Sequence, residues 1–234
     1  MGSRHLLAPW WIMPWAALLC GEPVTAGTPS TVAELYTSLG CSSCPPADAL
    51  AGKLNADLRL LVLSFHVNYW DSVRFRDPFG SQAITDRQYA YAHSLRAHGV
   101  ATPQLIVNGA QSLIGPQLAD AQRVLAAASR TGLPLKVGIA KQPDGSFILS
   151  LDGVASGAEV WEVRYVKHAV TPIRGGENGG RTLETFNNVT QLRRLARFAG
   201  GTQSLQPLKI PEDGLAVIVQ ESGLGRVLGA CSSE

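Results

Sequence analysis

The chain has 234 residues, of which 45% are hydrophobic and 16% are charged, and its formal net charge is +2. This composition excludes a disordered chain, because such chains combine low hydrophobicity with high net charge. The sequence has no basic stripe with interleaved aromatic residues, so nucleic acid is not expected as a partner. The length suffices for one large or two small domains.

Residues 1–26 have the features of a secretory signal peptide. Arg4 supplies a positive charge before the apolar stretch at 6–19, which is short for a membrane span. The sequence at 24–26, Val-Thr-Ala, fits the small-x-small rule for cleavage. We therefore expect an exported protein, periplasmic or secreted, without stable membrane insertion after cleavage. An uncleaved anchor is the alternative.

Export sets the redox context of the cysteines. Removal of Cys20 with the signal peptide leaves Cys41, Cys44 and Cys231 in the mature chain. Thiols outside the cytoplasm are usually oxidised, so we expect the close pair to form a disulfide. Cys231 is then the odd cysteine. It is interpreted as a free thiol, as a link to another chain, or as a residue without a role.

Strands and helices alternate in the first half. The spacing of apolar residues predicts, in chain order, a strand at 31–37, a helix at 45–56, a strand at 58–65, an aromatic-rich loop at 68–80, a helix at 81–98, a strand at 104–107, its hairpin partner at 112–114 and a helix from 118 to about 132. Asn108-Gly109 predicts a tight hairpin turn. Two strands joined by a helix form a parallel unit with a right-handed crossover.

The second half is predicted to be rich in strands. Alternating apolar residues and glycine turns favour strands at 135–140, 147–151, 160–168, 215–220 and 225–230. The ambiguous stretch at 189–198 is interpreted as a bulged strand rather than a short helix. The pattern favours a small sandwich. The expected organisation is a signal peptide at 1–26, an α/β domain at 30–132 and a β-rich domain at 134–234.

The motif Gly40-Cys-Ser-Ser-Cys44, between a strand and a helix, and the later segment Thr102-Pro-Gln104 together resemble the thioredoxin fold, and glutaredoxin in particular. Three further segments, Glu34-Leu-Tyr-Thr-Ser38, Ser64-Phe-His-Val-Asn-Tyr-Trp-Asp71 and Gly176-Glu-Asn-Gly-Gly-Arg-Thr-Leu183, resemble a family of secreted bacterial proteins, thioredoxin-like and of unknown function (domain of unknown function 1223). The resemblance implies a thioredoxin-like (glutaredoxin-like) domain followed by a small β-sandwich-like domain.

Cys41 is the candidate nucleophile of a thiol–disulfide oxidoreductase. A helix N-terminus presents unpaired N–H groups and partial positive charge, both of which stabilise a thiolate. The Cys41 sulfur is expected to be exposed, and the more buried Cys44 is expected to resolve a mixed disulfide. Ser42 and Ser43 either hydrogen-bond the thiolate and lower its pKa or face water. A static disulfide in an interaction module is an alternative function.

The resemblance also assigns a role to Thr102 and Pro103. It implies a cis peptide bond at Pro103 that faces the cysteine pair, with the Thr102 backbone pairing with an extended substrate. Without the resemblance, an ordinary turn with a trans peptide bond at Pro103 is the default expectation. The expected partners are protein thiols or disulfides of the cell envelope, and the expected chemistry uses no cofactor and no metal.

Two further residues are candidate modulators. Glu34 is a carboxylate in an apolar strand, so it is either a buried proton relay with a raised pKa or an edge residue in water. His66 closes the second strand, where parallel sheets place their ligand crevice, or it only hydrogen-bonds a loop carbonyl. A Cu(I) site built from His66 and the two cysteines would make the protein a copper chaperone instead. The glycine-rich segment at 177–181 is interpreted as a long turn or as a docking surface.

Overall fold

The computed structural model describes residues 27–141, 147–155, 157–208 and 213–233. The predicted signal peptide at 1–26 lies outside the described residues. Within those four ranges, no helix combines the length and the apolar character needed to cross a membrane.

Eleven strands and three α-helices are described. In chain order they are β1 (Thr31–Thr37), α1 (Pro45–Leu54), β2 (Leu60–His66), α2 (Gln82–Ser94), β3 (Gln104–Val107), β4 (Gln111–Ile114), a short 3₁₀ helix (Gly115–Asp120), α3 (Ala121–Thr131), β5 (Lys136–Lys141), β6 (Phe147–Gly153), β7 (Ala158–Pro172), β8 (Thr182–Phe198), β9 (Gly201–Leu208), β10 (Gly214–Glu221) and β11 (Val227–Ser232).

Local sequence accounts for most of the helix boundaries. Prolines occupy the first turn of α1, where a missing N–H leaves no hydrogen bond unmade. The Ser81 hydroxyl caps α2 by accepting from the Ile84 amide. Helix α2 ends at Ser94, four residues before the predicted end at 98, because Arg96 adopts a left-handed backbone with φ of 53°.

Eight strands form one mixed sheet in the order β11-β10-β7-β8-β2-β1-β3-β4. Strand β1 lies parallel to β2 and antiparallel to β3. Strand β8 joins β2 in parallel through the pair Ser64 and Asn188. A second, antiparallel sheet has the order β5-β6-β9.

The second half does not build a sandwich of its own. Four of its strands extend the sheet of the first half, because β8 pairs with the edge of β2 that β1 leaves open. Sandwich-like packing does occur, since the small sheet buries Leu149 and Leu151 against Val217 and Leu228 of the large sheet. The bulged strand predicted at 189–198 is confirmed as part of β8, whose pairing with β7 shifts register twice. The polar strand β9 had no apolar signature and was not predicted.

The helices cover opposite faces of the large sheet. Side chains alternate along a strand, so Ala33 and Leu35 of β1 pack with α1 and α3, while Val32 and Tyr36 pack with the α2 residue Tyr91. Helices on both faces explain why β1 is buried along its whole length. The carboxyl ends of β1 and β2 then open onto the turn that carries Cys41.

Candidate functional site

The cysteine pair lies between β1 and α1, as the sequence predicted. Cys41 and Cys44 form a disulfide. The turn is closed by two backbone hydrogen bonds, from the Cys41 amide to the Ser38 carbonyl at 3.1 Å and from the Cys44 amide to the Cys41 carbonyl at 3.2 Å. Cys44 is the residue immediately before the first turn of α1. The disulfide thus sits at the positive end of the helix dipole.

Thr102 and Pro103 face this disulfide across the turn. Their peptide bond is cis. The Cys41 sulfur lies 3.8 Å from the Thr102 carbonyl oxygen, and the Ser43 hydroxyl lies 3.3 Å from the same sulfur. The indole N–H of Trp70 donates to the Thr102 hydroxyl at 2.8 Å and holds the segment in place. Cys41 and Thr102 therefore meet at one sulfur although they are 61 positions apart in the chain.

The expected exposure of the Cys41 sulfur is wrong for the disulfide state. Cys41 and Cys44 are both 0% exposed. Trp70 and Phe75 pack tightly against the turn at Gly40. A Cβ on Gly40 would lie 3.1 Å from Trp70 and 3.3 Å from the Phe75 ring. A partner sulfur therefore reaches the disulfide only after a local movement of the residues that cover it.

The two serines between the cysteines have different partners. Both are exposed. The Ser43 hydroxyl lies beside the Cys41 sulfur. Ser42 does not, because its hydroxyl donates to the Glu177 carboxylate at 2.7 Å and its amide donates to the same oxygen at 3.0 Å. These two hydrogen bonds hold the pKa of Glu177 below its usual value.

A cavity of about 430 Å³ opens next to the disulfide. Thr102, Pro103 and Ser43 form its rim nearest the cysteines. The rest of the described lining is uncharged: Pro46, Ala47, Leu50, Ile114, Gly115 and Leu118. Such a surface suits an apolar or extended peptide segment and offers no cation for a ligand carboxylate.

Glu34 is neither an edge residue nor a neighbour of the cysteines. Strand β1 is interior, so Glu34 is 1% exposed, and it faces α2. Its carboxylate accepts two hydrogen bonds from Arg87, at 2.8 and 2.9 Å, one from Tyr91 at 2.6 Å and one from Tyr36 at 3.0 Å. Arg87 also donates to Gln220 at 2.9 Å. The group is a buried ionic tie between β1, α2 and β10.

His66 is buried beneath the turn and bonded through both ring nitrogens. Nδ1 lies 2.9 Å from Asp77 and Nε2 lies 2.9 Å from Asn188. Burial lowers the pKa of His66, but the Asp77 carboxylate outweighs this and keeps the pKa above its ordinary value. Asp77 in turn accepts from the Leu39 amide at 2.7 Å. The pair therefore anchors the segment that leads into Cys41.

The geometry gives no support to a copper site. Both ring nitrogens of His66 are engaged, and the cysteine sulfurs are joined to each other. Across the described ranges, no three His, Cys, Asp or Glu residues are grouped so that they could hold a metal ion.

Asp48 is a buried carboxylic acid that sequence reasoning missed. It lies in the first turn of α1, one turn beyond Cys44, and accepts a hydrogen bond from the Thr37 hydroxyl at 2.7 Å. Burial raises the pKa of Asp48 to about 6. An acidic residue in a first helical turn ordinarily indicates favourable contact with the dipole at the surface. Nothing in the local pattern distinguishes a buried one.

Cys231 is a free cysteine, in agreement with one of its three interpretations, and it is buried. It lies in β11 within the core between the two sheets and is 0% exposed. In the described part of the chain it forms no disulfide. Burial raises the pKa of its thiol to about 12, so a link to another chain is disfavoured.

Comparisons with known proteins give one matching family model and a similar solved structure. The model of the family described as "Protein of unknown function (DUF1223)" matches residues 32–220. The crystal structure of a protein from Agrobacterium tumefaciens is similar, with a TM-score of 0.77 and 26% sequence identity, over 88% of this chain and 94% of that chain. No curated protein matches. Because the family model spans well over half of the sequence, from β1 into β10, the chain belongs to the DUF1223 family.

Proposed function

We propose that the protein is a thioredoxin-like, exported thiol–disulfide oxidoreductase that works through Cys41 and Cys44. The observation that carries the proposal is the 3.8 Å approach of the Cys41 sulfur to the Thr102 carbonyl, next to Pro103 and at the start of α1.

The arrangement of the first half supports the thioredoxin-like part of the proposal. The resemblance rests on a chain order of strand, Cys-x-x-Cys turn, helix, strand, helix, Thr-Pro strand and hairpin, and the elements from β1 to β4 follow one another in that order. The sequence features of residues 1–26 support export from the cytoplasm. In an oxidising compartment outside the cytoplasm, the disulfide would persist. The expected partners are protein thiols of the cell envelope.

The proposed reaction starts from the disulfide. A thiolate of a reduced partner attacks the Cys41 sulfur and forms a mixed disulfide, while the Cys41–Cys44 bond breaks and Cys44 leaves with the electron pair and takes up a proton. A second partner thiolate then attacks the partner's own sulfur and expels the Cys41 thiolate. The partner is oxidised by two electrons and the protein is reduced by two. The reverse direction follows the same steps.

The surroundings serve these steps in separate ways. The positive end of α1 and the Ser43 hydroxyl stabilise the Cys41 thiolate. The Thr102 backbone lies where an extended partner chain would pair with it. The uncharged cavity beyond Pro103 would take the partner's apolar side chains.

The test traps the mixed disulfide. In a Cys231→Ser background, Cys44→Ser leaves Cys41 without its resolving partner, so disulfide-linked adducts should accumulate in whole cells and disappear on reduction. The matched control carries Cys41→Ser as well and should give no adducts. Non-reducing gels and mass spectrometry identify the species.

A second measurement uses purified protein. The wild-type disulfide should equilibrate with dithiothreitol or glutathione buffers under native conditions, with a defined midpoint. The proposal is overturned if Cys44→Ser forms no adducts and the wild-type disulfide resists excess dithiothreitol until the protein is unfolded. A structural disulfide behaves in that way.

A further inference from the structure

The glycine-rich segment at 177–181 lies directly on the turn that carries Cys41. We call residues 173–181, which connect β7 to β8, the cover loop. Its Glu177 carboxylate accepts from the amide and the hydroxyl of Ser42. Its Asn178 side chain donates to the carbonyls of Leu39 and Cys41, at 3.0 and 2.9 Å. The backbone is therefore held on both sides of Cys41 by residues more than 130 positions away.

The cover loop is held in its conformation by hydrogen bonds within the loop itself. Asn178 is 0% exposed, and its Oδ1 accepts from Arg181 at 2.7 Å. Backbone hydrogen bonds from Gly179 to Gly176 and from Gly180 to Ile173 close the loop on itself. Glycine is required for close approach, since a Cβ on Gly175 would lie 2.7 Å from the Arg74 carbonyl oxygen. The loop thus presents Glu177 and Asn178 in fixed positions.

The contacts of the cover loop restrain the motion that exchange requires. Attack on the disulfide needs access to the Cys41 sulfur, which is buried. Exposure of this sulfur on the side of the cover loop requires a shift of the turn at 39–42, and that shift breaks the hydrogen bonds to Glu177 and Asn178. On the other side, Ser43 and Thr102 line the cavity and also contact the Cys41 sulfur, so movement of the exposed Ser43 side chain would open a path for a small thiol.

We propose that the cover loop determines which thiols reach Cys41. This inference rests on the proposed exchange function. While Glu177 and Asn178 hold the turn, only small thiols or single extended chains that enter through the cavity react with the disulfide. A thiol on the surface of a folded protein reacts only after the cover loop releases the turn.

The experiment compares two reductants of the oxidised protein. Dithiothreitol is the small probe, and a reduced thioredoxin with its own Cys-x-x-Cys pair is the folded probe. The variants are Glu177→Ala and Asn178→Ala. The matched control is Glu184→Ala, which removes a carboxylate from the adjoining strand β8, where it bonds only the exposed His168 among the described contacts.

The cover-loop variants should react about tenfold faster with the folded probe, the factor expected for loss of one to two hydrogen bonds. Their rates with dithiothreitol should change less than about threefold, since the cavity route is intact. Glu184→Ala should match wild type with both probes. Glu177→Gln, which keeps an acceptor for Ser42, should fall between wild type and Glu177→Ala.

Hydrogen exchange gives a readout that needs no reductant. The Ser42 amide, bonded to Glu177 in the structure, should exchange faster in Glu177→Ala and remain as in wild type in Glu184→Ala. If each probe reduces every variant at its wild-type rate and the Ser42 amide exchanges its hydrogen as in wild type, the cover-loop inference is overturned. The proposed thiol–disulfide exchange then still stands. If neither probe reduces any folded form, exchange itself fails.

Discussion

His66 Nδ1 and Asp77 Oδ2 lie 2.9 Å apart, and neither side chain is accessible to solvent. Removing one member of such a pair leaves an unpaired buried charge, which typically costs about 3–5 kcal/mol. Asp77→Asn should therefore lower the free energy of unfolding by about that amount in urea denaturation. It should also loosen the turn before Cys41, because Asp77 accepts from the Leu39 amide.

The pH dependence of this loss has a definite sign. A histidine with a raised folded-state pKa stabilises the protein at low pH, and the stabilisation is lost as pH rises through that value. The deficit of Asp77→Asn relative to wild type should thus be larger at about pH 6 than at about pH 9. Asp57→Asn, which breaks only the exposed pair with Arg59, is the control and should change stability little at either pH. An equal deficit at both pH values would contradict the assignment of charge to His66.

Asp48 should produce the opposite kind of pH effect to an ordinary paired carboxylate. A rise in pKa from 3.8 to about 6 means that the folded state prefers the protonated acid. The stability it confers is lost as pH rises from 3.8 through about 6, which corresponds to roughly 3 kcal/mol.

Asp48→Asn keeps an acceptor for Thr37 and cannot ionise. The variant should gain stability relative to wild type between about pH 4 and pH 7, measured by urea denaturation at each pH. A difference that does not vary with pH would show that Asp48 is not the titrating group.

Glu34 and Arg87 should be strongly coupled. Their side chains are 1% and 3% exposed, so each single change leaves the other charge buried without its partner. Glu34→Gln and Arg87→Met should each destabilise by about 3–5 kcal/mol. The double variant should lose less than the sum by about 2–3 kcal/mol in urea denaturation. Additive losses would mean that the two groups stabilise the protein independently.

Cys231 should be almost inert in the folded protein. With a pKa of about 12, its thiolate fraction at pH 8 is roughly a thousandfold or more below that of a free cysteine. An aromatic disulfide reagent should label it slowly in native protein and rapidly in urea. Rapid native labelling, or a dimer on non-reducing gels that Cys231→Ser abolishes, would refute this.

The local part of the structure could be predicted from sequence. The strand before Cys41, the prolines that begin α1 and the Asn108-Gly109 turn each carry a short-range signal. The turn shows why: Asn108 and Gly109 both have positive φ, at 49° and 65°, a backbone conformation that these two residue types favour. These are constraints that a few neighbouring residues express.

The rest depends on contacts between distant parts of the chain. Nothing near Ser42 indicates that Glu177 will bond to it, and nothing in β2 indicates that β8 will pair with its edge. Asp77 precedes a proline, a pair that favours a turn, and nothing local indicates that its carboxylate will bond to His66 and to the Leu39 amide. Burial of a carboxylate is decided by packing, which the local pattern does not contain.

The single parallel pair between Ser64 and Asn188 has a kinetic consequence. It closes a chain segment of 188 − 64 = 124 residues, at an entropic cost on the order of 4 kcal/mol, whereas β1 and β2 close only a short one. We therefore expect β1 to β4 to assemble early and the pairing of β2 with β8 to form last. Glu177 and Asn178 precede β8 in the chain, so they reach the turn only when β8 pairs with β2. Until that late step, Cys41 and Cys44 would remain accessible to an oxidant.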